Sequence, residues 1–189
     1  MKERIAAILN ESIEVKRSVI LNCLPAIELS ARAIIKAFQS NNRVFFCGNG
    51  GSAADSQHIA AEFIGRFQKE RRALPAIALT TDTSILTCLT NDYSYDIVFA
   101  RQLEALGRQG DVIVGLSTSG KSANILKAFA RAKELGITTI ALAGHDGGPM
   151  GKMADITITV PSKITARIQE SHIAIAHAIC EVVENQFAS

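Results

Sequence analysis

Two of the four histidines stand where chemistry can be assembled. His58 and Glu62 are four residues apart, so a helix puts them on one face. His177 and Gln169 are eight apart in a later segment, which on a helix is two turns, about 12 Å of rise and about 80° of rotation. Side chains of that length can still converge on a point between them. If two helices carry these pairs to one pocket, two imidazoles, a carboxylate and an amide meet there. Imidazoles and a carboxylate suit zinc or a related divalent ion. They suit general acid–base catalysis without a metal equally well, and the sequence leaves both open. A His–Glu pair at this spacing is also common on solvated helices, so the pair alone decides nothing. His172 points away from His177 and reads as structural.

Two glycine- and serine-rich joints could hold an anion. Cys47-Gly48-Asn49-Gly50-Gly51-Ser52 has glycines for tight turning and close approach of a ligand to the backbone. Ser117-Thr118-Ser119-Gly120-Lys121-Ser122 offers hydroxyl donors. Each leads into a helical pattern, whose first N–H groups favour an anion. Neither loop matches the dinucleotide fingerprint or the P-loop, which argues against NAD and ATP. The plain alternative is a pair of capped turns, but two such loops in one chain favour a phosphate site. Asn91-Asp92 follows an apolar helix and could grip sugar hydroxyls or cap the helix end. The glycine cluster Gly144 to Gly151 reads as a surface turn.

The elements that must position these residues alternate. Strands are expected at 43–48, 76–79, 111–116, 138–142 and 156–160. Helices are expected at 52–67, 84–89, 95–106, 122–135 and 164–187. Strands that are apolar almost throughout, separated by helices, imply a parallel sheet covered on both faces. The ligand loops then lie at the carboxyl ends of the strands. Ahead of the sheet, residues 1–40 read as two amphipathic helices, the second starting at Pro25 and ending at Asn41-Asn42. They need a further surface to bury their apolar stripes.

The 189 residues fit one domain, 1–189, with a core that needs no disulfides. A formal charge of +2 argues against a nucleic-acid binder, and the short basic run Lys69 to Arg72 reads as a solvated turn. Cys23, Cys47, Cys88 and Cys180 form no CxxC pair, which indicates reduced, packed cysteines rather than a thiolate metal site or a disulfide framework. No signal pattern and no run of eighteen apolar residues stand out, so no membrane association and a cytoplasmic location are expected.

Together these residues resemble the sugar isomerase (SIS) domain family, and within it the phosphoheptose isomerases. The resemblance covers nearly the whole chain and rests on residues 47–52, His58 with Glu62, Gly65-Arg66, Asn91-Asp92, residues 117–120, Gly147-Gly148, and Arg167 to Glu170 followed by His172 and His177. It implies an α/β three-layer sandwich with a five-stranded parallel sheet of flavodoxin-like topology. It implies interconversion of sedoheptulose 7-phosphate and D-glycero-D-manno-heptose 7-phosphate through an enediol, as the first step of activated heptose synthesis for bacterial surface glycans such as lipopolysaccharide core. Glu62 and His177 are the implied catalytic pair. Zinc is implied on His58, Glu62, Gln169 and His177. Substrate contacts are implied from Asn49, Gly50, Gly51, Glu62, Asn91, Asp92, Ser117, Thr118, Ser119, Ser122 and Gln169. A homotetramer is implied, with sites near subunit boundaries and residues 1–40 in the assembly. The chain also looks like the DnaA initiator-associating proteins, non-catalytic members of the same fold, in which the positions of Glu62 and His177 lack the carboxylate and the imidazole. Both groups are present here, which favours the enzyme. A regulatory sugar-phosphate sensor would carry an added DNA-binding domain, for which these residues leave no room.

Overall fold

A computed structural model describes residues 1–188. Five parallel strands form one sheet: β1 (Val44–Gly48), β2 (Ala76–Ala78), β3 (Val112–Ser117), β4 (Thr138–Ala143) and β5 (Ile156–Thr159), in the order β2-β1-β3-β4-β5. The helices are α1 (Lys2–Gln39), α2 (Gly51–Ile64), α3 (Thr83–Asp92), α4 (Val98–Leu106), α5 (Ala123–Glu134), α6 (Gly148–Met153) and α7 (Thr165–Glu184). A single 3₁₀ turn, Tyr95–Ile97, precedes α4, so the expected helix 95–106 is broken near its start.

The strand side chains alternate between two apolar cores, as the two-residue period of a strand requires. Phe46, Val112 and Val114 face a core shared with Phe38, Phe63 and Ile179 of α1, α2 and α7. Phe45 and Ile113 face the other, with Phe99 of α4 and Phe129 of α5. The expected three-layer α/β sandwich with a five-stranded parallel sheet is what the chain adopts.

β1 and β3 are neighbours, with Gly48 paired to Leu116. The chain leaves β1 into α2 on one face of the sheet and leaves β3 into α5 on the other. The order reverses there, and the connections part to leave a crevice beyond the carboxyl ends of these two strands.

The amino-terminal segment departs from expectation. It is one helix of 38 residues with Pro25 in its interior. Proline removes an intrahelical hydrogen bond and crowds the preceding turn, but Pro25 lies on the exposed side. The opposite side is held on both flanks of Pro25 by buried Val19, Cys23, Ala31, Ile34 and Phe38, so tertiary packing carries the helix through. Upstream, the helix leaves Leu9, Ile20, Leu21 and Leu24 more than half exposed. Although interrupted by polar residues, α1 contains an 18-residue window of mean hydropathy 1.5 and is long and apolar enough to cross a membrane by length and composition alone. Only some of that window is buried within the chain. All four cysteines are free: Cys23, Cys47 and Cys180 are buried and Cys88 is exposed.

Candidate functional site

The two predicted anion loops flank the crevice between β1 and β3. After β1 the chain turns at Gly50, whose φ of 56° lies in the left-handed region, and enters α2 at Gly51. Gly48 is a packing requirement of a different kind: a Cβ there would stand 2.5 Å from the backbone oxygen of Ser52. After β3, the hydroxyls of Ser117 and Ser122 lie 2.9 Å apart, and Ser119 Oγ accepts from the Lys121 backbone N–H at 3.2 Å. Ser122 precedes α5 but does not cap it through its side chain.

A pair of amides joins the loops. Asn49 Nδ2 donates to Asn124 Oδ1 at 3.0 Å, and Asn124 Nδ2 donates back to Asn49 Oδ1 at 2.8 Å. The Tyr95 hydroxyl donates to the same Asn49 oxygen at 3.0 Å. Sequence reasoning missed Asn124 and Tyr95, because nothing local marks residues whose partner is 75 and 46 positions away.

The glycine cluster after β4 is not a surface turn. Gly147 and Gly148 are buried, and α6 begins there. The Met150 N–H donates to Gly120 O at 3.0 Å, and a Cβ on Gly148 would sit 2.8 Å from Gly120 O and 2.9 Å from Ser119 O. The cluster braces the serine loop from behind.

The pair on α2 does meet His177 of α7. His58 Nε2 is 3.0 Å from Glu62 Oε1 on α2. The His177 ring of α7 lies 5.0 Å from that of His58, at 73° to it. One ligand atom from each of His58, Glu62 and His177 falls within 4.8 Å of the others. His177 Nε2 is buried and has no hydrogen-bond partner. Gln169 lies two turns up α7 against the glycine loop, its Nε2 2.8 Å from where a Cβ on Gly51 would be. Asp55, half-buried one turn before His58, has its carboxyl pushed up by burial, while His58 and His177 pull it back. Asn91 and Asp92 are exposed in the last turn of α3 and bond to each other at 2.8 Å. Among the described residues no hydrogen bond ties them to either loop.

The run Lys69 to Arg72 is only in part a solvated turn. The Arg71 side chain is buried against Glu184 of α7, Nε to Oε1 3.4 Å. Glu184 accepts the backbone N–H groups of Phe67, Gln68 and Lys69 at 2.8, 2.7 and 2.9 Å. Burial works against its charge, but those three donors and Arg71 hold the carboxyl below its usual range. Arg71 donates in turn to the carbonyls of Glu62 and Gly65 at 2.7 and 2.8 Å. This network sets the Phe67 ring 5.4 Å from His177. His172 is structural as expected: it is buried, its Nε2 is 3.1 Å from Ala143 O, and burial pushes its pKa down to about 4.

The parallel 2-1-3-4-5 sheet places its hydroxyl and glycine loops at the switch point, where open α/β sheets bind ligands, and the profile of the SIS domain family matches residues 9–144. The chain belongs to the SIS domain family. Over 188 residues it is 50% identical to the phosphoheptose isomerase of Sulfurimonas denitrificans, covering 98% of this chain and 96% of the relative. It is 53% identical over 173 residues to that of Roseiflexus sp., covering 92% and 88%. The solved phosphoheptose isomerase of Neisseria gonorrhoeae superposes with a TM-score of 0.92 at 44% identity, over 97% of this chain and 98% of that one. Within the SIS family the chain is therefore a sugar-phosphate isomerase of the phosphoheptose isomerase group.

Proposed function

We propose that this enzyme interconverts sedoheptulose 7-phosphate and D-glycero-D-manno-heptose 7-phosphate through an enediol, in the cytoplasm, as the first step of activated heptose synthesis. One observation carries the reading: Glu62 lies within 4.8 Å of two imidazoles, in a chain whose serine loop sits at the sheet's switch point. A non-catalytic initiator-binding protein has no chemical use for that grouping.

Ser117, Thr118, Ser119 and Ser122, with the first N–H groups of α5, hold the terminal phosphate. Asn49, Gly50, Gly51 and Gln169 line the sugar, and Asn91 and Asp92 meet its hydroxyls. Aldose–ketose isomerisation moves a proton between C1 and C2. Glu62 takes it from one carbon and returns it to the other on the same face. His177 moves the oxygen protons and opens the ring, since imidazole titrates near neutral pH.

The donors also fit zinc. His58, Glu62 and His177 cluster, and the buried, unpartnered Nε2 of His177 is a free ligand atom; Gln169 completes the proposed set. A bound zinc would polarise the carbonyl and stabilise the developing oxyanion; a carboxylate or imidazole nitrogen on the ion is a poor base, so Glu62 and His177 would have to leave it to carry the protons. The exposed leucines and isoleucines of α1 support burial in a homotetramer, with sites near the subunit boundaries. Light scattering at micromolar concentration should give four times the chain mass, and a monomer would count against the assembly.

The deciding assay follows sedoheptulose 7-phosphate turnover by wild type and by Glu62→Gln. Loss of the base should lower kcat by about 10²–10⁴-fold with secondary structure and assembly kept. No turnover by wild type would overturn the reading. Unchanged turnover by Glu62→Gln would overturn the role of Glu62 alone. Metal content before and after chelation, read beside activity, tests the zinc.

A further inference from the structure

Beside the serine loop, on the side of Lys121, lies a cavity of about 420 Å³ lined by Ser119, Lys121, His145, Asp146 and Lys163. Its walls come from three loops, those after β3, β4 and β5. These are stitched together: Met150 N–H donates to Gly120 O at 3.0 Å, and His145 N–H to Ser162 O at 3.0 Å. Ile164 N–H donates to Ser162 Oγ at 3.1 Å, which fixes the stretch carrying Lys163. The volume falls in the range of small-ligand sites and exceeds what one phosphate needs.

The cations of this cavity outnumber its one acid, Asp146, on which Lys121 and His145 already act through space. Among the described residues neither Lys121 nor Lys163 lies within 4.0 Å of a carboxylate, and what sets them apart from the other unpaired lysines is that they line one cavity. The single acid, Asp146, already accepts the Gly148 N–H at 3.1 Å. Two ammonium groups and an imidazole thus face one carboxylate, which the Gly148 N–H keeps charged. Ser119 is shared with the phosphate loop, so an anion held there lies next to the lysines.

We propose that this cavity is a second anion subsite contiguous with the serine loop, and that the pair admits ligands carrying two linked phosphoryl groups, one on Ser117 to Ser122 and the other on Lys121, Lys163 and His145. The proposal rests on reading the serine loop as the phosphate site. It gives the enzyme a way to be occupied by a diphosphate-bearing compound in competition with its monophosphate substrate. A compact, strongly hydrated ammonium is suited to a terminal phosphoryl group, which it neutralises as a point charge.

Calorimetric titration of the assembled enzyme with inorganic pyrophosphate and with orthophosphate tests this without turnover. Wild type should bind pyrophosphate at least tenfold more tightly. The double variant Lys121→Ala, Lys163→Ala, both at exposed positions, should bring pyrophosphate to the orthophosphate value and leave orthophosphate within twofold. Ser119→Ala should weaken both. Equal affinities in wild type would overturn the subsite. So would an equal loss of both anions in the double variant, which would make the lysines neutralisers of the one phosphate. If Ser119→Ala left both affinities unchanged while the lysine variant lost pyrophosphate, the serine-loop reading would fail, and contiguity with it.

Discussion

The loops at the switch point and the helix-borne cluster around His177 are held in place by different means. The glycine and serine loops are shaped largely by their own backbones: Gly50 and Gly120 take φ values of 56° and 64°, and Ser117 and Ser122 bond to each other across one turn, with the turn after β4 bracing the serine loop from behind. The cluster is set from a distance. His58 and Glu62 meet His177 only because α2 packs on α7, and the segment that puts Phe67 over His177 is fastened by Arg71 and Glu184. The proposed phosphate holder lies almost wholly within six consecutive residues, whereas the proposed acid–base cluster is spread over two helices and needs a tertiary fastening.

The largest test of that contrast is Glu184→Ala. It leaves three backbone N–H groups without their acceptor and the buried Arg71 without its counter-charge. Breaking one side of a buried pair costs about 3–5 kcal/mol, measurable by denaturant unfolding. Where the variant folds, turnover should fall sharply while orthophosphate affinity stays within twofold. Equal losses of both would erase the distinction between the regions. Glu184→Gln, which keeps an acceptor, should recover part of the turnover.

The converse test is Gly120→Ala. An L-residue at that φ costs about 1–2 kcal/mol, and the new Cβ would meet the backbone of Gly147 and Gly148. Orthophosphate affinity should drop at least tenfold, with the metal affinity proposed for the His58 cluster unchanged. If metal affinity fell as well, the loops and the cluster would be one rigid unit.

The same contrast explains what the sequence showed. The sheet, its layers and both loops were legible because strand periodicity and loop chemistry are local. Helix bounds were less so: the broken start of α4 and the continuity of α1 through Pro25 depend on packing against distant residues. His58, Glu62 and His177 were legible as spacings, but their meeting was not. Arg71 was misread because Lys69 to Arg72 looks solvated until Glu184 arrives from 113 positions away. The Gly144 to Gly151 cluster was misread because its partner is the serine loop, not solvent.

His172 gives a smaller, pH-dependent effect. Burial lowers its pKa from 6.5 to about 4, so the native state resists a proton that the unfolded chain accepts. Its contribution is complete above about pH 6.5 and is lost as pH falls toward 4. Between about pH 7.5 and 5 it should remove about 2 kcal/mol. Chemical unfolding at the two pH values, with His172→Gln as control, reads this. A variant with the same pH slope as wild type would assign the slope elsewhere.

The smallest effect is expected where the two loops touch. Asn124 is buried, and its amide both donates to and accepts from Asn49 while also accepting the Ile125 N–H at 3.0 Å. It positions Asn49 and has no proposed contact with substrate. Asn124→Ala removes these bonds, for about 1 kcal/mol, and frees the Asn49 side chain to rotate. Since Asn49 is proposed to hold ground and transition states alike, KM should rise about fivefold with kcat nearly unchanged. Asn124→Asp retains acceptors for Asn49 Nδ2 and Ile125 N–H but loses the donor to Asn49 Oδ1, which Tyr95 still serves. Its KM should therefore lie between those of wild type and Asn124→Ala, and adding Tyr95→Phe to Asn124→Asp should erase the recovery. A kcat loss larger than the KM change would place Asn49 in the chemical step and bring the loops and the helix cluster into one catalytic unit.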